Sequence, residues 1–314
     1  MSRPMLARLP GRLLARLLVL ALTLLAASFL VFGAIRLLPG DPARLLAGPQ
    51  ARAAAVAALH HQLGLDRPFL RQYGDFLLGA VHGRLGTSTV SHQPVGRELA
   101  AHAPYTIALG LLAYLLASTG GVLFGCLAAI NQARLFDRLF GACTNLLVSV
   151  ADFWFGLMAM ELFAVRLGWL PLMGTGSPAH IVLPAITLAL MPAGLIGRMT
   201  RAGMIDVLRQ DYIRTATAKG LAPLAIYGRH ALRNALVPIV TIVGLNLGSV
   251  IGGAVVTETL FAWPGLGALL VEAVKYRDYP VIQGVALVAV TAVVVMNLLA
   301  ELAIALLDPR LRQA

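Results

Sequence analysis

Hydrophobic positions in this chain come in long unbroken runs, not in the alternation of half-buried strands or the three-to-four spacing of surface helices. Six runs are long enough to cross a bilayer, which takes roughly 20 apolar residues. They are Leu13 to Ile35, Pro104 to Ile130, Leu139 to Val165, Ile181 to Gly197, Val237 to Val256 and Val281 to Leu307. The pattern predicts an all-α membrane protein with six transmembrane helices. The first run follows Arg3, Arg8, Arg12 and Arg16, as in the charged start of a signal peptide. It is too long for one and lacks a small-residue cleavage site, so it reads as a retained anchor. The organisation expected is an N-terminal end and first helix over 1–35, an extracytoplasmic segment over 36–103, a five-helix core over 104–307 and a tail over 308–314. Within the core, a polar loop occupies 198–235.

Composition narrows this further. The chain has 314 residues, 59% of them hydrophobic and 12% charged, with a mean hydropathy of +0.81, which leaves no room for a large soluble catalytic domain. A formal charge of +11 raises the question of nucleic acid, and the location of the charges answers it. With the N-terminus inside, the cytoplasmic ends and loops hold fifteen Lys and Arg, against Arg166, Lys275 and Arg277 in the short outer loops. The excess is therefore topology, both termini are expected in the cytoplasm, and nucleic acid is not a partner. Cys126 and Cys143 both fall inside spans and are expected to pack as small hydrophobes.

The loop between the fourth and fifth runs carries the most information. Met204, Val207, Leu208, Tyr212 and Ile213 recur at helical spacing, predicting one helix to about Lys219. Gly220 ends it, Pro223 forbids simple continuation, and a second helix begins near Leu224. Such a helix, glycine turn, helix unit is either a lever pushed by another protein or an ordinary charged loop.

The residues in that loop resemble a known family. Asp211-Tyr-Ile-Arg-Thr-Ala-Thr-Ala-Lys-Gly220 and His230-Ala-Leu-Arg-Asn-Ala-Leu-Val-Pro238 look like the coupling loop of the dipeptide, oligopeptide and nickel permeases of ABC importers. Leu38-Pro-Gly-Asp-Pro42, Leu63-Gly-Leu-Asp66 with Pro68, Trp169-Leu-Pro171, Phe261-Ala-Trp-Pro-Gly-Leu-Gly267, Arg277-Asp-Tyr-Pro280 and Asp308-Pro-Arg310 extend the likeness along almost the whole chain. The resemblance implies the type I importer fold in a bacterial cytoplasmic (inner) membrane, with a cytoplasmic coupling helix. It also implies a homologous second permease, two cytoplasmic ATPases that bind the ATP and Mg²⁺, and an extracytoplasmic solute-binding protein. This chain itself would hold no cofactor and no metal.

Asp206, Asp211, Tyr212, Arg214, Thr215, Ala216, Ala218, Lys219 and Gly220 are the coupling residues this resemblance implies. Where the wider importer signature has Glu-Ala-Ala, this chain has Arg214-Thr215-Ala216, so Asp206 or Asp211 is the candidate acidic partner. The third run reads Ser149-Val150-Ala151-Asp152 without the family's frequent proline, so nothing there calls for a proline kink. On a continuous helix Asn145, Ser149, Asp152 and Gly156 share one face, either lining the translocation path or pairing with a neighbour. Asn246 is a further path candidate. In the last run Asn297 and Glu301, one turn apart, suit interhelical hydrogen bonds.

Gly244, Gly248 and Gly252 leave a groove for close helix packing, against the partner permease or within the subunit. Phe261, Trp263, Pro264 and Gly265 are candidates for an outer gate, with Trp263 suited to the membrane interface. His60, His61, His82, His92 and His102 show no ligand spacing, so they do not select nickel over peptide. The chain has two lysines, Lys219 and Lys275, and neither lies in a phosphate-binding loop; metalloprotease and nucleophile-elbow motifs are also missing. The expectation is a transport subunit working by alternating access, not an enzyme. An ATPase-independent channel, or an intramembrane hydrolase using Ser149 or Asp152, is the rival class.

Overall fold

The computed structural model describes residues 9–37, 43, 51–62, 64, 66–235 and 249–307. Its regular elements are helical, and a single bridge, Thr87 to Pro94, is the β pairing found among the described residues. In chain order the helices are α1 (Leu9–Leu37), α2 (Ala53–Gln62), α3 (Phe69–Val81), α4 (Val95–Ile130), α5 (Leu135–Ser149) and α6 (Asp152–Ala159), which continues as a π-wound stretch over Met160–Arg166. Then come α7 (Val182–Leu208), α8 (Asp211–Ala218), the π-wound α9 (Ala225–Leu232), α10 (Ser249–Leu260), α11 (Leu266–Tyr276) and α12 (Tyr279–Leu307).

Among the described residues, three helices are long and apolar enough to cross a membrane: Val95–Ile130, Pro178–Leu208 and Tyr279–Ala300. The pair Leu135–Ser149 and Asp152–Arg166 makes a fourth span if it is counted as one. α1 contributes the shorter apolar stretch Leu18–Ala34, and most of the fifth expected span lies outside the described residues. The count of six is thus the sequence's own expectation.

The chain divides into two compact units. One comprises residues 1–102 with Leu269–Val294. In it Phe29 and Phe32 of α1 meet Phe69 and Tyr73 of α3 at ring separations of 5.2 to 5.5 Å. Asp278, 3% exposed, accepts hydrogen bonds from the Ser88 hydroxyl and from the Thr89 and Val90 amides. That carboxylate thereby pins the turn over residues 88–90.

The second unit comprises Ala103–Ala268 and Val295–Ala314. Its core packs Leu109, Ala113 and Ala117 of α4 with Ala185, Leu188, Ala189 and Ile196 of α7. Small residues let these helices approach until backbones touch. A Cβ on Gly121 would lie 2.9 Å from the Ala193 carbonyl oxygen and from Ile196 Cβ, and one on Gly125 would strike the Gly197 carbonyl oxygen and lie 2.8 Å from Thr200 Cβ. Gly121-Val-Leu-Phe-Gly125 is a small-xxx-small spacing, visible in the sequence and passed over there in favour of Gly244, Gly248 and Gly252. Of those three, Gly244 and Gly248 lie outside the described residues. Gly252 is exposed with no described atom near it, and its neighbour Gly253 makes the close approach, to Leu188.

The third expected span corrects the sequence reading. It is not one continuous helix: α5 and α6 meet at an angle of 106° across Val150 and Ala151. No proline is needed. The Ser149 hydroxyl donates to the Asn145 carbonyl oxygen at 2.8 Å, a back-bond that bends helices, and Val150 and Ala151 adopt extended backbone. Beyond the break Gly156 comes against Thr187 and Leu260, and Met160 joins Leu183 and Phe261 in a buried cluster. A straight helix would forfeit that packing. Cys143 is also corrected: it is exposed on α5 rather than packed in the core, whereas Cys126 is partly buried against it.

Candidate functional site

The polar loop of the second unit begins where α7 ends. One helix to Lys219 was expected, but α7 stops at Leu208, Gln210 turns extended, and α8 starts afresh at Asp211. The reason is burial. α8 is eight residues long and presents Ile213 and Ala216, 4% and 8% exposed, to a core containing Met204, Ile205, Ile226 and Ala231. Uninterrupted continuation of α7 would carry those two side chains away from it. Ala216 therefore holds α8 in place and presents no surface to a partner.

The opposite face of α8 is open. Asp206, Asp211, Tyr212, Arg214, Thr215, Ala218, Lys219 and Gly220 are all exposed. Asp211 pairs with Arg214 at 3.7 Å along the helix, with both side chains in solvent, so the pair adds little stability. Tyr212 is more than a surface residue. Its hydroxyl accepts a hydrogen bond from Asn234 Nδ2 at 2.8 Å, tying α8 to the helix that follows α9.

Gly220 closes the helix as expected. Its φ is +74°, its amide donates to the Thr217 carbonyl oxygen at 2.9 Å, and the Leu221 amide donates to that of Ala216 at 3.3 Å. These are the two bonds of a Schellman cap, with Gly220 in the left-handed position. Helical backbone then resumes at residue 223, close to the start expected.

An ion pair anchors the base of this loop. Arg201 in α7 grips Asp137 near the start of α5 with two hydrogen bonds, Nε to Oδ1 and Nη2 to Oδ2, the latter at 2.8 Å. Asp137, 6% exposed, also accepts the Ala133 amide at 2.9 Å, fixing the turn between α4 and α5. No short motif joins these residues, which lie 64 apart in sequence.

At the break in the third span, Asn145 and Ser149 are exposed on α5 and Asp152 is half-buried at the start of α6. The bend puts them on two differently directed helices, so the single stripe of a straight helix does not exist. They are gathered instead around the extended corner at Val150 and Ala151. Asn246 lies outside the described residues. In α12 the Asn297 Oδ1 is buried without a hydrogen-bond partner, so the interhelical bond expected there is not formed by that oxygen.

The loop around Trp263 is also corrected. Trp263 is 7% exposed, not an interfacial side chain: its Nε1 donates to the Tyr105 carbonyl oxygen at 3.0 Å and its ring stands edge-on to Tyr105. Phe261, 2% exposed, is interior as well, and Pro264 is partly exposed. What organises this loop is Glu258, wholly buried and not singled out by sequence reasoning. Its carboxylate accepts from the Thr106 hydroxyl at 2.6 Å and from the amides of Gly267 and Ala268 at 2.7 and 3.2 Å. Thr106 in turn accepts the Leu266 amide at 2.8 Å. Glu258 thus satisfies the first turn of α11, and the glycines of Pro264-Gly-Leu-Gly267 leave space for it, since a Cβ on Gly265 would collide with the carboxylate and one on Gly267 would lie 2.9 Å from Oε2.

Glu258→Ala should lower the thermal stability of the detergent-solubilised protein by about 3 kcal/mol, because each buried donor left unsatisfied costs about 1–3 kcal/mol. Glu258→Gln keeps an acceptor for the two amides and should retain most of that stability. Equal melting temperatures for the two variants would contradict this role.

Among the described residues no group of three or more His, Cys, Asp or Glu is placed to hold a metal ion. His60 instead approaches Asp66 at 3.8 Å, and His82 contacts the Leu78 carbonyl oxygen at 2.7 Å.

Long apolar helices, a sharply bent helix pair and the short exposed helix α8 between α7 and α9 make up the architecture on which the comparisons bear. Residues 121–313 match the family described as binding-protein-dependent transport system inner membrane component, and residues 9–110 match its N-terminal region. The chain belongs to that family: it is a multi-pass inner-membrane permease of a binding-protein-dependent ABC importer, not itself an enzyme. It is 42% identical over 297 residues to the glutathione transport system permease protein GsiC of Escherichia coli strain CFT073, covering 95% of this chain and 97% of that one. GsiC of Salmonella typhimurium is also 42% identical, over 299 residues. Among solved structures, the inward-facing MetNI methionine ABC transporter superposes with a TM-score of 0.56 at 19% identity, covering 67% of this chain and 96% of the other. An amino acid ABC transporter superposes at 0.51 with 14% identity. These two structures share the type I importer permease fold with this chain.

Proposed function

We propose that this chain is one of two homologous permeases in an importer of short peptides and peptide-like compounds such as glutathione. Two cytoplasmic ATPases, which hold the ATP and Mg²⁺, power it, and an extracytoplasmic binding protein supplies the cargo. The observation that carries the substrate class is the 42% identity to glutathione permeases across 95% of the chain. The exposed face of α8 supports the ATPase contact, with Asp211, Tyr212, Arg214, Thr215 and Ala218, the capping Lys219 and Gly220, and Asp206 at the end of α7 reaching the partner. ATP binding draws the ATPases together, α8 moves with them, and the Tyr212–Asn234 bond and the Ile213 and Ala216 packing pass that motion into the core. This places α8 and both termini in the cytoplasm, as the basic residues of 198–235 favour.

Asn145, Ser149 and Asp152 at the broken span suit the translocation path. Broken backbone at membrane depth is tolerated where it is buried in protein or lines a water-filled cavity, and Val150 and Ala151 are not fully buried in this subunit. Phe261, Trp263, Pro264 and Gly265 act in the outer gate through movement of the loop that Glu258 secures. Gly252 faces the second permease.

The test is reconstitution of the chain with the permease, ATPases and binding protein encoded beside it. Co-purification of two ATPases and ATP-dependent uptake of labelled glutathione or a dipeptide are expected, with no uptake when the binding protein is left out. Uptake of Ni²⁺ without peptide would overturn the substrate class. Transport or peptide hydrolysis by this chain alone would overturn the importer reading.

A further inference from the structure

The geometry points to α3 as a membrane-embedded helix: we propose that it lies in one leaflet alongside α1, with its free apolar flank in contact with lipid acyl chains. Sequence reasoning placed this region in the extracytoplasmic segment over 36–103, and the proposal does not depend on the substrate class.

The depth of α3 follows from what it touches. Phe69, Tyr73 and Phe76, at i, i+4 and i+7, form one flank and pack against Phe29 and Phe32 of α1. The Tyr73 hydroxyl donates to the Leu25 carbonyl oxygen at 3.0 Å and pairs with the Ser28 hydroxyl at 2.8 Å. All these α1 positions lie inside its apolar stretch, Leu18–Ala34. At 1.5 Å per residue, Leu25 is about 10 Å from the start of that stretch and about 14 Å from its end, well within the hydrocarbon layer. A second helix gives the same level. Phe76 lines a cleft with Ser28 and Val31 of α1 and with Gln283, Leu287 and Val290 of α12. Those residues lie about 6 to 16 Å into a span that begins at Tyr279.

A helix at this depth cannot expose a large apolar surface to water without cause, yet α3 has one. Leu70, Leu78 and Val81 are 72%, 64% and 82% exposed. They occupy the flank adjoining the aromatic one, and α1, packed beside it, also leaves Leu22, Leu25 and Leu30 exposed. The far edge is polar: Asp75 is exposed and Arg67 bonds it at 2.8 Å, while Arg71, seven residues before Leu78, marks the border of the apolar flank. Apolar residues on about half the circumference with charge at its border and beyond suit a helix lying at the boundary of headgroups and acyl chains. Lipid is thus the occupant the observations favour, ahead of a second permease or the binding protein.

The test uses the assembled transporter in phospholipid vesicles. With Cys126→Ala and Cys143→Ala as background, nitroxide labels go onto Leu70→Cys, Leu78→Cys, Val81→Cys and, for the polar edge, Asp75→Cys. Oxygen, which concentrates in lipid, should relax the first three labels more than a water-soluble nickel chelate does, with the order reversed at position 75. Stronger relaxation by the chelate at 70, 78 and 81 would place the flank in water. Weak relaxation by both reagents would place it under protein. Either result overturns the proposal. If the cysteine variants do not assemble, the wild-type complex is labelled with a bilayer-dissolved carbene precursor. Adducts on residues 70–81 alongside those on α1 support the proposal, and adducts on α1 alone refute it.

Discussion

Gly125→Leu is expected to abolish accumulation of folded protein in the membrane, while Gly120→Leu, five residues earlier on the same helix, is tolerated. The difference lies in what each new Cβ meets. Around Gly120 no described atom lies within 4 Å. At Gly125 the Cβ runs into the Gly197 carbonyl oxygen and lies 2.8 Å from Thr200 Cβ. Backbone cannot rotate aside as a side chain can. α4 and α7 would have to separate, and the same contact holds Ile196, Met204 and Thr200, each no more than 1% exposed. Overpacking a rigid interior costs about 1–3 kcal/mol for added methylenes, and here the obstacle is a backbone carbonyl, so a whole leucine should exceed the stability of the fold. Gly197 makes the site less forgiving, because a Cβ there would meet Phe140 Cζ at 2.8 Å, so α7 is hemmed in by α5 on its other side. Fluorescence-detected size exclusion of the tagged, solubilised variants measures the outcome. A monodisperse Gly125→Leu protein at wild-type level would refute the contact.

Gly220→Ile should have the opposite character: folded, inserted protein that no longer couples ATP hydrolysis to uptake. Nothing described lies within 4 Å of a Cβ at this position, so crowding is not the issue. The conformation is. At φ +74° a residue with a Cβ loses about 1–2 kcal/mol, and β-branching makes the left-handed region still less favourable. The strain falls on the two capping bonds from Gly220 and Leu221, so the last turn of α8 should unwind while Ile213 and Ala216 keep the first turns docked. A partner reading Thr215 to Gly220 would then find its surface altered. ATPase activity at or near the basal level with uptake reduced at least tenfold is the expected result in proteoliposomes. Gly220→Asn is the informative companion, because asparagine visits the left-handed region more readily and should restore much of the transport. Normal coupled uptake by Gly220→Ile would remove α8 from the coupling role.

Those two glycines show how unevenly the site could be read in advance. Gly220 was legible because a helix stop is a local event: a glycine after the last periodic residue, a proline shortly beyond, and a fresh helix from there. Gly125 was not singled out, although its spacing from Gly121 is written in the chain. Small residues four apart permit close approach without saying which helix approaches, and the triplet in the fifth run carries the same spacing. Glu258 and the Asp137–Arg201 pair were missed for a stronger reason. An acidic residue near a helix end looks the same whether it faces solvent or, as here, accepts bonds from Thr106 and the start of α11. Trp263 failed in the reverse direction: indole rings favour interfaces on average, but this one found a carbonyl acceptor inside the fold.

The apolar runs, the charge asymmetry, the glycine-ended helix and the family motifs all stand in the linear order of residues, because each depends on neighbours within a few turns or on composition alone. From these the membrane class, the permease family and the end of the loop helix follow without coordinates. Where the third span breaks, which glycines meet and which carboxylates are buried were decided by partners far away in the chain. Ser149 and its neighbours could have continued as helix. They turn because Gly156 and Met160 gain contacts with α7 and α10 that a straight helix cannot reach, and no local pattern records that gain.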